Sequence, residues 1–212
     1  RSASTDEVVI DARLGAGVLH SRSVEFSKKY NIRLHVRSSF NYEEGTIVMP
    51  REEMMEKFVI SGITSKMDES MITIRDIPDR PGIAAKIFDI FGQNKIYVNM
   101  IVQSTGKDKL ASISITVRKS DFKKAMDLCE SINKDFKAGG VQSKEDIAIV
   151  SAVGVGMLSA YGVAGKIFSI MSEHGINIEM ISTSDISISC IIKKKFAETA
   201  VKSLHGNFGL GK

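Results

Sequence analysis

The feature that most constrains this chain is an internal repeat, because residues 82–101 and 162–181 are two copies of one segment aligned without a gap at an offset of 80 positions. The first copy contributes nine residues that recur in the second: Gly82, Ala84, Lys86, Ile87, Phe88, Ile90, Ile96, Met100 and Ile101. Self-similarity at one fixed offset predicts two copies of one structural unit.

Composition restricts the class of protein. A chain of 212 residues, 43% of them hydrophobic, is long enough for one or two domains with buried cores. The net charge is +4, and the basic residues are scattered along the chain. Their densest cluster, Lys193–Lys195, is typical of a solvated turn. No apolar run is long enough to span a membrane, and Cys129 and Cys190 show no CxxC spacing. We therefore expect a cytoplasmic protein with two buried free thiols and without a membrane or nucleic-acid partner.

Hydrophobic periodicity predicts the order βαββαβ in both copies, which is the ferredoxin-like arrangement. The elements predicted for the first copy are strand Met71–Ile77, helix Ile83–Gln93, strands Ile96–Gln103 and Ala111–Val117, helix Phe122–Phe136 and strand Val141–Ser143. Those predicted for the second are strand Ile147–Val155, helix Val163–His174, strands Ile176–Ser182 and Ile186–Ile192, helix Phe196–His205 and strand Phe208–Leu210.

Residues 1–57 do not belong to the repeat. Their patterns predict helices over Val8–Leu14 and Val18–Tyr30 and strands over Ile32–Arg37 and Thr46–Met49. A further strand, Phe58–Thr64, precedes the first copy and is assigned either to it or to the second. The predicted domains are therefore residues 1–57, 58–145 and 146–212.

The loop Asp79–Ala84 has the chemistry of an amino-acid site. A helix N-terminus offers unpaired N–H groups and a positive dipole end to a carboxylate, and Gly82 lets the backbone approach a ligand closely. Asp79 suits the ammonium group, and the amides of Asn99 and Gln103 suit either end of the ligand. From the residues alone, a plain turn between strand and helix is the favoured interpretation.

Three segments of the chain resemble one family. The strings DRPGIAAKIF and VNMIVQS within Met71–Gln103, and VGVGM and GINIEMISTSDISIS within Val153–Ile192, resemble the ACT regulatory domains of aspartate kinases. The string LHSRSVEFSKKYNIRLHVRSSF, Leu19–Phe40, resembles the tail of that family's kinase domain. The resemblance implies an α+β fold of two ferredoxin-like βαββαβ ACT units, with antiparallel sheets and helices on one face, after a short α/β remnant of the kinase domain.

The resemblance also implies partners. The chain has no Gly-rich phosphate loop and no glycine-rich kinase N-terminus, so we expect a regulatory subunit or regulatory fragment that is inactive alone. ATP and magnesium are expected only for the catalytic part, and this chain is expected to need no cofactor. Its expected partners are lysine or threonine as feedback effectors, a second copy in a homodimer joined through the ACT units, and a catalytic aspartate kinase subunit or domain.

By this resemblance, effectors bind at the two Gly loops and the strands that face them. The implied effector-binding residues are Asp79, Arg80, Pro81, Gly82, Ile83, Ala84, Asn99, Met100, Gln103, Met157, Gly162, Val163, Asn177, Met180, Ser182, Thr183, Ser184 and Asp185. The family usually has Asn at Tyr97, Asp at Asn99 and Glu at Asp185, and it often has His-Pro-Gly at residues 160–162. These departures leave the choice between lysine and threonine open.

Two other functions are compatible with parts of this pattern. A βαββαβ unit also builds RNA-binding domains, but their central strands carry exposed aromatic residues, and neither Ala111–Val117 nor Ile186–Ile192 has any. The ACT module of another amino-acid enzyme is disfavoured by the kinase-like segment Leu19–Phe40. The four histidines fall on separate predicted elements, so neither a metal site nor a catalytic residue is predicted.

Overall fold

The computed structural model describes residues 2–4, 8, 19–49, 59–158 and 160–210, which fall in two compact units. The central unit is residues 67–148, and the discontinuous unit combines residues 1–66 with residues 149–212. In chain order the helices and strands are β1 (Ser2–Ser4), α1 (Ser21–Lys29), β2 (Leu34–Val36), β3 (Thr46–Met49), β4 (Gly62–Pro78), α2 (Ile83–Gln93), β5 (Val98–Thr105), β6 (Leu110–Arg118), α3 (Phe122–Asp135), β7 (Gly140–Val153), α4 (Val163–Glu173), β8 (Ile178–Ser184), β9 (Ser187–Lys193) and α5 (Ala197–Asn207).

The central unit confirms the predicted ferredoxin-like arrangement. Its strands lie in the order β5-β6-β4-β7, and β6 pairs antiparallel with both β4 and β5. Helices α2 and α3 pack on one face of this sheet. The buried core between helices and strands is mostly isoleucine, with Phe91 and Cys129 from the helices: Ile72, Ile74, Ile77, Ile83, Ile87, Ile96, Ile113, Ile115 and Ile132. The β-branched residues that favour the strands also form the apolar face that the helices cover.

The discontinuous unit has the same plan with a different chain order. Its strands lie in the order β4-β7-β9-β8, β8 pairs antiparallel with β9, and α4 packs against α5. Residues 62–66 of β4, which precede the first copy of the repeat, provide the strand beside residues 149–153 of β7. The amide of Ser61 donates to the Val153 carbonyl oxygen at 2.7 Å, at the end of this pairing.

The prediction of a last strand over Phe208–Leu210 is wrong. These residues form a turn that closes α5, because the amides of Phe208 and Leu210 donate to the carbonyl oxygens of Leu204 and His205. Gly209 has the positive φ of 68° that such a helix end requires. Backbone groups used in this way are not available to a sheet.

Two pairs of predicted strands are single long strands. Phe58–Thr64 and Met71–Ile77 correspond to β4, with Phe58 outside the described residues, and Val141–Ser143 and Ile147–Val155 correspond to β7. The polar residues between the predicted strands resemble turns in sequence. In β4, Glu69 and Ser70 remain in the strand because they pair with Arg118 and Val117 of β6. In β7, residues 142–146 remain in the strand with their side chains exposed.

The N-terminal part of the discontinuous unit forms a small separate sheet. Strand β3 lies between β1, which is parallel to it, and β2, which is antiparallel. His20 caps the start of helix α1, because its Nδ1 accepts from the amide of Arg22 at 3.3 Å. The predicted strand Thr46–Met49 is confirmed, whereas the predicted helix Val8–Leu14 lies outside the described residues apart from Val8. No helix in the described ranges is both long and apolar enough to cross a bilayer.

Both thiols are buried, as the sequence predicts, and we expect them to resist alkylation in the folded protein. Burial raises the pKa of Cys129 to about 12, with a further contribution from the Glu130 carboxylate, and burial raises the pKa of Cys190 to about 11. The reactive thiolate is therefore scarce at pH 8. Labelling with iodoacetamide, read by mass spectrometry, should be at least about 100-fold slower than in concentrated guanidinium chloride, which serves as the control. Rapid labelling of native protein would contradict this burial.

Candidate functional site

A hollow of about 350 Å³ lies in the central unit, beside the start of α2. Its described lining combines the loop between β4 and α2 with one residue of β5 and two of β6: Ile77, Pro78, Asp79, Arg80, Pro81, Gly82, Ile83, Ala84, Gln103, Ala111 and Ile113. Seven of the residues predicted from the sequence, Asp79–Ala84 and Gln103, are thus brought together. Ile77, Ala111 and Ile113 form its apolar wall, and Asp79, Arg80 and Gln103 provide its polar side chains.

Gly82 determines how the loop enters the helix. It precedes α2 with a left-handed φ of 90°, which an L-residue adopts only with strain. A Cβ at this position would meet nothing within 4 Å, so the backbone angle rather than packing favours glycine. No side chain caps the helix at Gly82. The Ile83 amide donates to the Arg80 carbonyl oxygen at 3.3 Å, whereas the next N–H groups of a first helical turn have no partner within the helix. The hollow therefore borders donors suited to an anion.

Strand β4 bends just before the loop. Its register with β6 shifts between Ile74 and Ile77, and Asp76 at this bulge has a φ of 53°. Bulges redirect the chain and are frequent beside functional sites. The amide of Asp79 then donates to the Lys109 carbonyl oxygen at 2.7 Å, which anchors the loop next to the turn before β6. This leaves the Asp79 carboxylate at the edge of the hollow.

Asp79 and Gln103 are the polar pair of the hollow. Gln103 Nε2 lies 3.5 Å from Asp79 Oδ1, at the long limit of a hydrogen bond. Both side chains are exposed, so each retains capacity to bind a ligand. An ionised carboxylate can accept from an ammonium group while the amide donates to it, so the pair is suited to a cationic nitrogen.

Asn99 and Met100 do not line this hollow, although the sequence placed them in the site. They lie at a bulge in β5, where the register with β6 shifts between Val98 and Met100. The Asn99 Nδ2 is buried and has no hydrogen-bond partner in the described structure. The amide of Met100 donates to Thr116 Oγ1 at 3.1 Å, so it is occupied within the sheet.

The discontinuous unit has a hollow of about 340 Å³ at the matching helix start. Gly162 precedes α4 with a φ of 81° and no side-chain cap, as Gly82 does before α2. The described lining is Val59, Ile60, Ala160, Tyr161, Gly162, Val163, Lys166, Asn207 and Phe208. Only Gly162 and Val163 of these residues were predicted.

Lys166 is the charged residue among the seven lining residues that were not predicted from the sequence. Its Nζ donates to the Asn207 carbonyl oxygen at 3.1 Å and lies 4.5 Å from the centroid of the Phe208 ring. A signal was present, because Lys86 and Lys166 recur in the repeat. The contact itself joins residues far apart in the chain, which periodicity does not reveal.

The other predicted residues of the second copy lie outside the described lining of this hollow. Met157 is in a short 3-10 helix, Val155–Leu158, and Asn177 directly precedes β8. Met180, Ser182, Thr183 and Ser184 are in β8, and Asp185 is in the turn that follows. Ser184 Oγ lies 2.7 Å from Ser187 Oγ, across this turn. Within the described ranges, no three His, Cys, Asp or Glu side chains are grouped so as to hold a metal ion.

Comparison with known proteins identifies the family. A model of the ACT domain matches residues 73–132 and 150–208. An aspartate kinase of Pseudomonas putida is 42% identical over 206 residues, which are 97% of this chain and 50% of that protein. The chain therefore spans about half the length of the curated relatives it matches.

Two solved structures show how the similarity is distributed. The ligand-free regulatory subunit of aspartate kinase from Thermus thermophilus is 35% identical with a TM-score of 0.66, over 71% of this chain and 99% of that one. The aspartate kinase from Synechocystis is 31% identical with a TM-score of 0.73, over 98% of this chain and 38% of that one. The chain therefore belongs to the ACT-domain family, as a tandem ACT regulatory region of the aspartate kinase type.

Proposed function

We propose that this chain senses lysine or threonine at its ACT units and transmits feedback inhibition to the catalytic part of an aspartate kinase. The observation that carries the proposal is the same arrangement in both units: a left-handed glycine, an uncapped helix start and a hollow beside it. The matches to the ACT domain and to aspartate kinases support a regulatory role of this kind.

The central hollow offers a group for each part of a free amino acid. The α-carboxylate would accept from the N–H groups at the start of α2, where the helix dipole favours negative charge. The α-ammonium would donate to Asp79, which Gln103 steadies. The effector side chain would then contact the apolar wall, formed by Ile77, Ala111 and Ile113.

This geometry favours threonine over lysine in the central hollow. A lysine side chain would bring a second positive charge, and Asp79 is the only carboxylate in the described lining. The other charged residue there is Arg80, which would repel a cationic side chain. A short neutral side chain such as that of threonine fits the remaining apolar surface. For the second copy, the proposed site residues are Met157, Asn177, Met180 and Ser182–Asp185, together with the hollow at Gly162.

The same proposal assigns the chemistry to another part of the kinase. Residues for ATP and magnesium would lie in the catalytic part, and this region would act only by changing that part's equilibrium between active and inhibited states. Typical allosteric coupling is about 1–3 kcal/mol, and the effector must bind the inhibited state more tightly. This is sufficient for a substantial change in activity.

We also propose a homodimer joined through the ACT units. Strand β5 is the outermost strand of the central unit, and β8 is the outermost strand of the discontinuous unit. Ile101 and Ile181, which occupy the same position of the repeat, are exposed on these strands. Unpaired strand edges with exposed apolar residues are suited to pairing with a second chain.

Calorimetric titration tests the proposal, and we expect threonine to bind more tightly than lysine. Asp79→Ala should weaken threonine binding about 10- to 100-fold, because a charge-assisted hydrogen bond contributes about 1.5–3 kcal/mol. Asp127→Ala is the matched control, since Asp127 is an exposed carboxylate on α3 outside the described lining. Equal affinities for Asp79→Ala and the unchanged protein would refute the assigned role of Asp79, and heat from neither amino acid would refute the sensor.

A further inference from the structure

The hairpin that joins β5 to β6 ends in a strained turn. The Leu110 amide donates to the Lys107 carbonyl oxygen at 3.1 Å, and the two residues between them, Asp108 and Lys109, have φ values of 58° and 57°. This is the pattern of a type I′ turn, in which Asn-Gly and Asp-Gly are the preferred central pairs. Lys109 therefore occupies a position at which glycine is favoured, because a side chain is strained at this φ.

Backbone hydrogen bonds, and not packing, hold the turn in this conformation. The side chains of residues 107–109 are exposed, so no core contact selects it. The Gly106 amide donates to the Leu110 carbonyl oxygen at 2.7 Å, and the Asp79 amide donates to the Lys109 carbonyl oxygen at 2.7 Å. A left-handed residue other than glycine persists where the surrounding structure enforces it, and such residues are frequent at ligand sites.

The same hairpin contacts Asp79 at two points. The Lys109 carbonyl oxygen accepts from its backbone, and Gln103 Nε2, from β5, lies 3.5 Å from its Oδ1. In the sheet, Leu110 is the partner of Pro78, the residue directly before Asp79. The direction of the Lys109 carbonyl group therefore determines where the chain leaves β4. A change in the turn would move the Asp79 carboxylate relative to the start of α2.

The discontinuous unit has the equivalent backbone bond without the strain. The amide of Gly154, directly after β7, donates at 2.9 Å to the carbonyl oxygen of Ile186, directly before β9. Neither Asp185 nor Ile186, both within the described ranges, has a positive φ. Gly154 has no side chain, so this bond positions no ligand-binding group. The left-handed turn thus occurs in the unit whose bonded residue carries the carboxylate of the hollow.

We propose that Lys109 is a positioning residue of the central hollow. Its left-handed conformation directs its carbonyl oxygen at the Asp79 amide and so holds the Asp79 carboxylate where it accepts from the ammonium group of the effector. This inference rests on the proposed function. Lys109 acts through its backbone, so the effect of a substitution depends on the φ that the new residue adopts. Glycine adopts a positive φ without strain, whereas a β-branched residue such as valine does not.

Hydrogen exchange of the Asp79 amide, followed by NMR without an effector, tests the backbone contact. We expect exchange at least about fivefold faster in Lys109→Val than in Lys109→Gly, because valine turns the accepting carbonyl group away. Lys95→Val is the matched control, since Lys95 has a φ of 56° at the other end of α2 and lies outside the described lining of the hollow. It should leave the exchange rate of Asp79 within about twofold of that of the unchanged protein.

Calorimetric titration with threonine tests whether the contact serves binding. Lys109→Val should weaken binding about 5- to 10-fold, and Lys109→Gly should bind at least about fivefold more tightly than Lys109→Val. The double variant Asp79→Ala/Lys109→Val should bind no more than about twofold more weakly than Asp79→Ala alone, since Lys109 acts through Asp79. A merely structural effect of the turn would instead add to the loss caused by Asp79→Ala.

Four results would overturn the inference: unchanged Asp79 exchange in Lys109→Val, unchanged threonine affinity in that variant, additive losses in the double variant, or equal weakening by Lys95→Val. Faster exchange in Lys109→Val, with heat from neither threonine nor lysine in the unchanged protein, would instead remove the proposed sensor and keep the positioning of Asp79 by the turn.

Discussion

Replacing Gly154 with alanine should destabilise the discontinuous unit by about 3 kcal/mol, because the new methyl group would overlap backbone that cannot move aside. A Cβ at this position would lie 2.3 Å from the Val59 carbonyl oxygen and 2.6 Å from Ile60 Cα. The Gly154 amide also donates to the Ile186 carbonyl oxygen at 2.9 Å, which holds the residue in place. Since Val59 and Ile60 line the second hollow, relief of the overlap would change that hollow as well.

Thermal unfolding followed by circular dichroism measures this effect. For a chain of this length, about 3 kcal/mol corresponds to a fall in Tm of roughly 6–12 °C. Gly165→Ala is the control, because Gly165 lies within α4, a Cβ there would meet nothing within 4 Å, and Ala85 occupies the same position of the first copy. That control should raise stability by about 0.5–1 kcal/mol. Equal effects of the two substitutions would show that residues 59–60 do not pack against Gly154.

The repeat predicted the local structure well, because each copy carries its own helical and strand periodicity. Helix Ile83–Gln93 was predicted with the bounds that the structure shows, and helix Val163–His174 was one residue too long. In both cases the glycine before the helix and the apolar stripe along it are local signals. The same signals identified the loop Asp79–Ala84, which lines the central hollow.

Pairings between distant segments were not predictable from such signals. Residues 62–66 provide a strand of the unit that contains residues 149–212, although more than 80 residues separate the two segments in the chain. A strand's own pattern shows which face is apolar but not which strand lies beside it. The contact of Lys166 with Asn207 was missed for the same reason, because 41 residues separate the two. The turn at Phe208–Leu210 is local, and Gly209 was its signal. Sequence periodicity therefore located the Gly loops, and only the tertiary structure showed what surrounds them.

Phe91→Ala should be the most destabilising single truncation in the central unit, costing about 3–5 kcal/mol. Phe91 is 1% exposed in α2, among the isoleucines of the core, and its ring lies 6.2 Å from that of Phe88 between centroids. Truncation removes buried apolar surface and leaves a cavity, and both effects lower the free energy of unfolding. Urea titration of the variant and the unchanged protein would measure the difference.

The second copy of the repeat provides the control for this substitution. Met171 occupies the position equivalent to Phe91, is equally buried at 1% exposed, and belongs to the same face of the equivalent helix. Phe91→Met should therefore cost less than about 1.5 kcal/mol, since a flexible side chain of similar volume can fill the site. A loss as large as that of Phe91→Ala would mean that the aromatic ring itself, and not the filled volume, stabilises the central unit. The comparison thus tests whether the core positions of α2 and α4 accept the same side chains, as expected if the two copies pack in the same way.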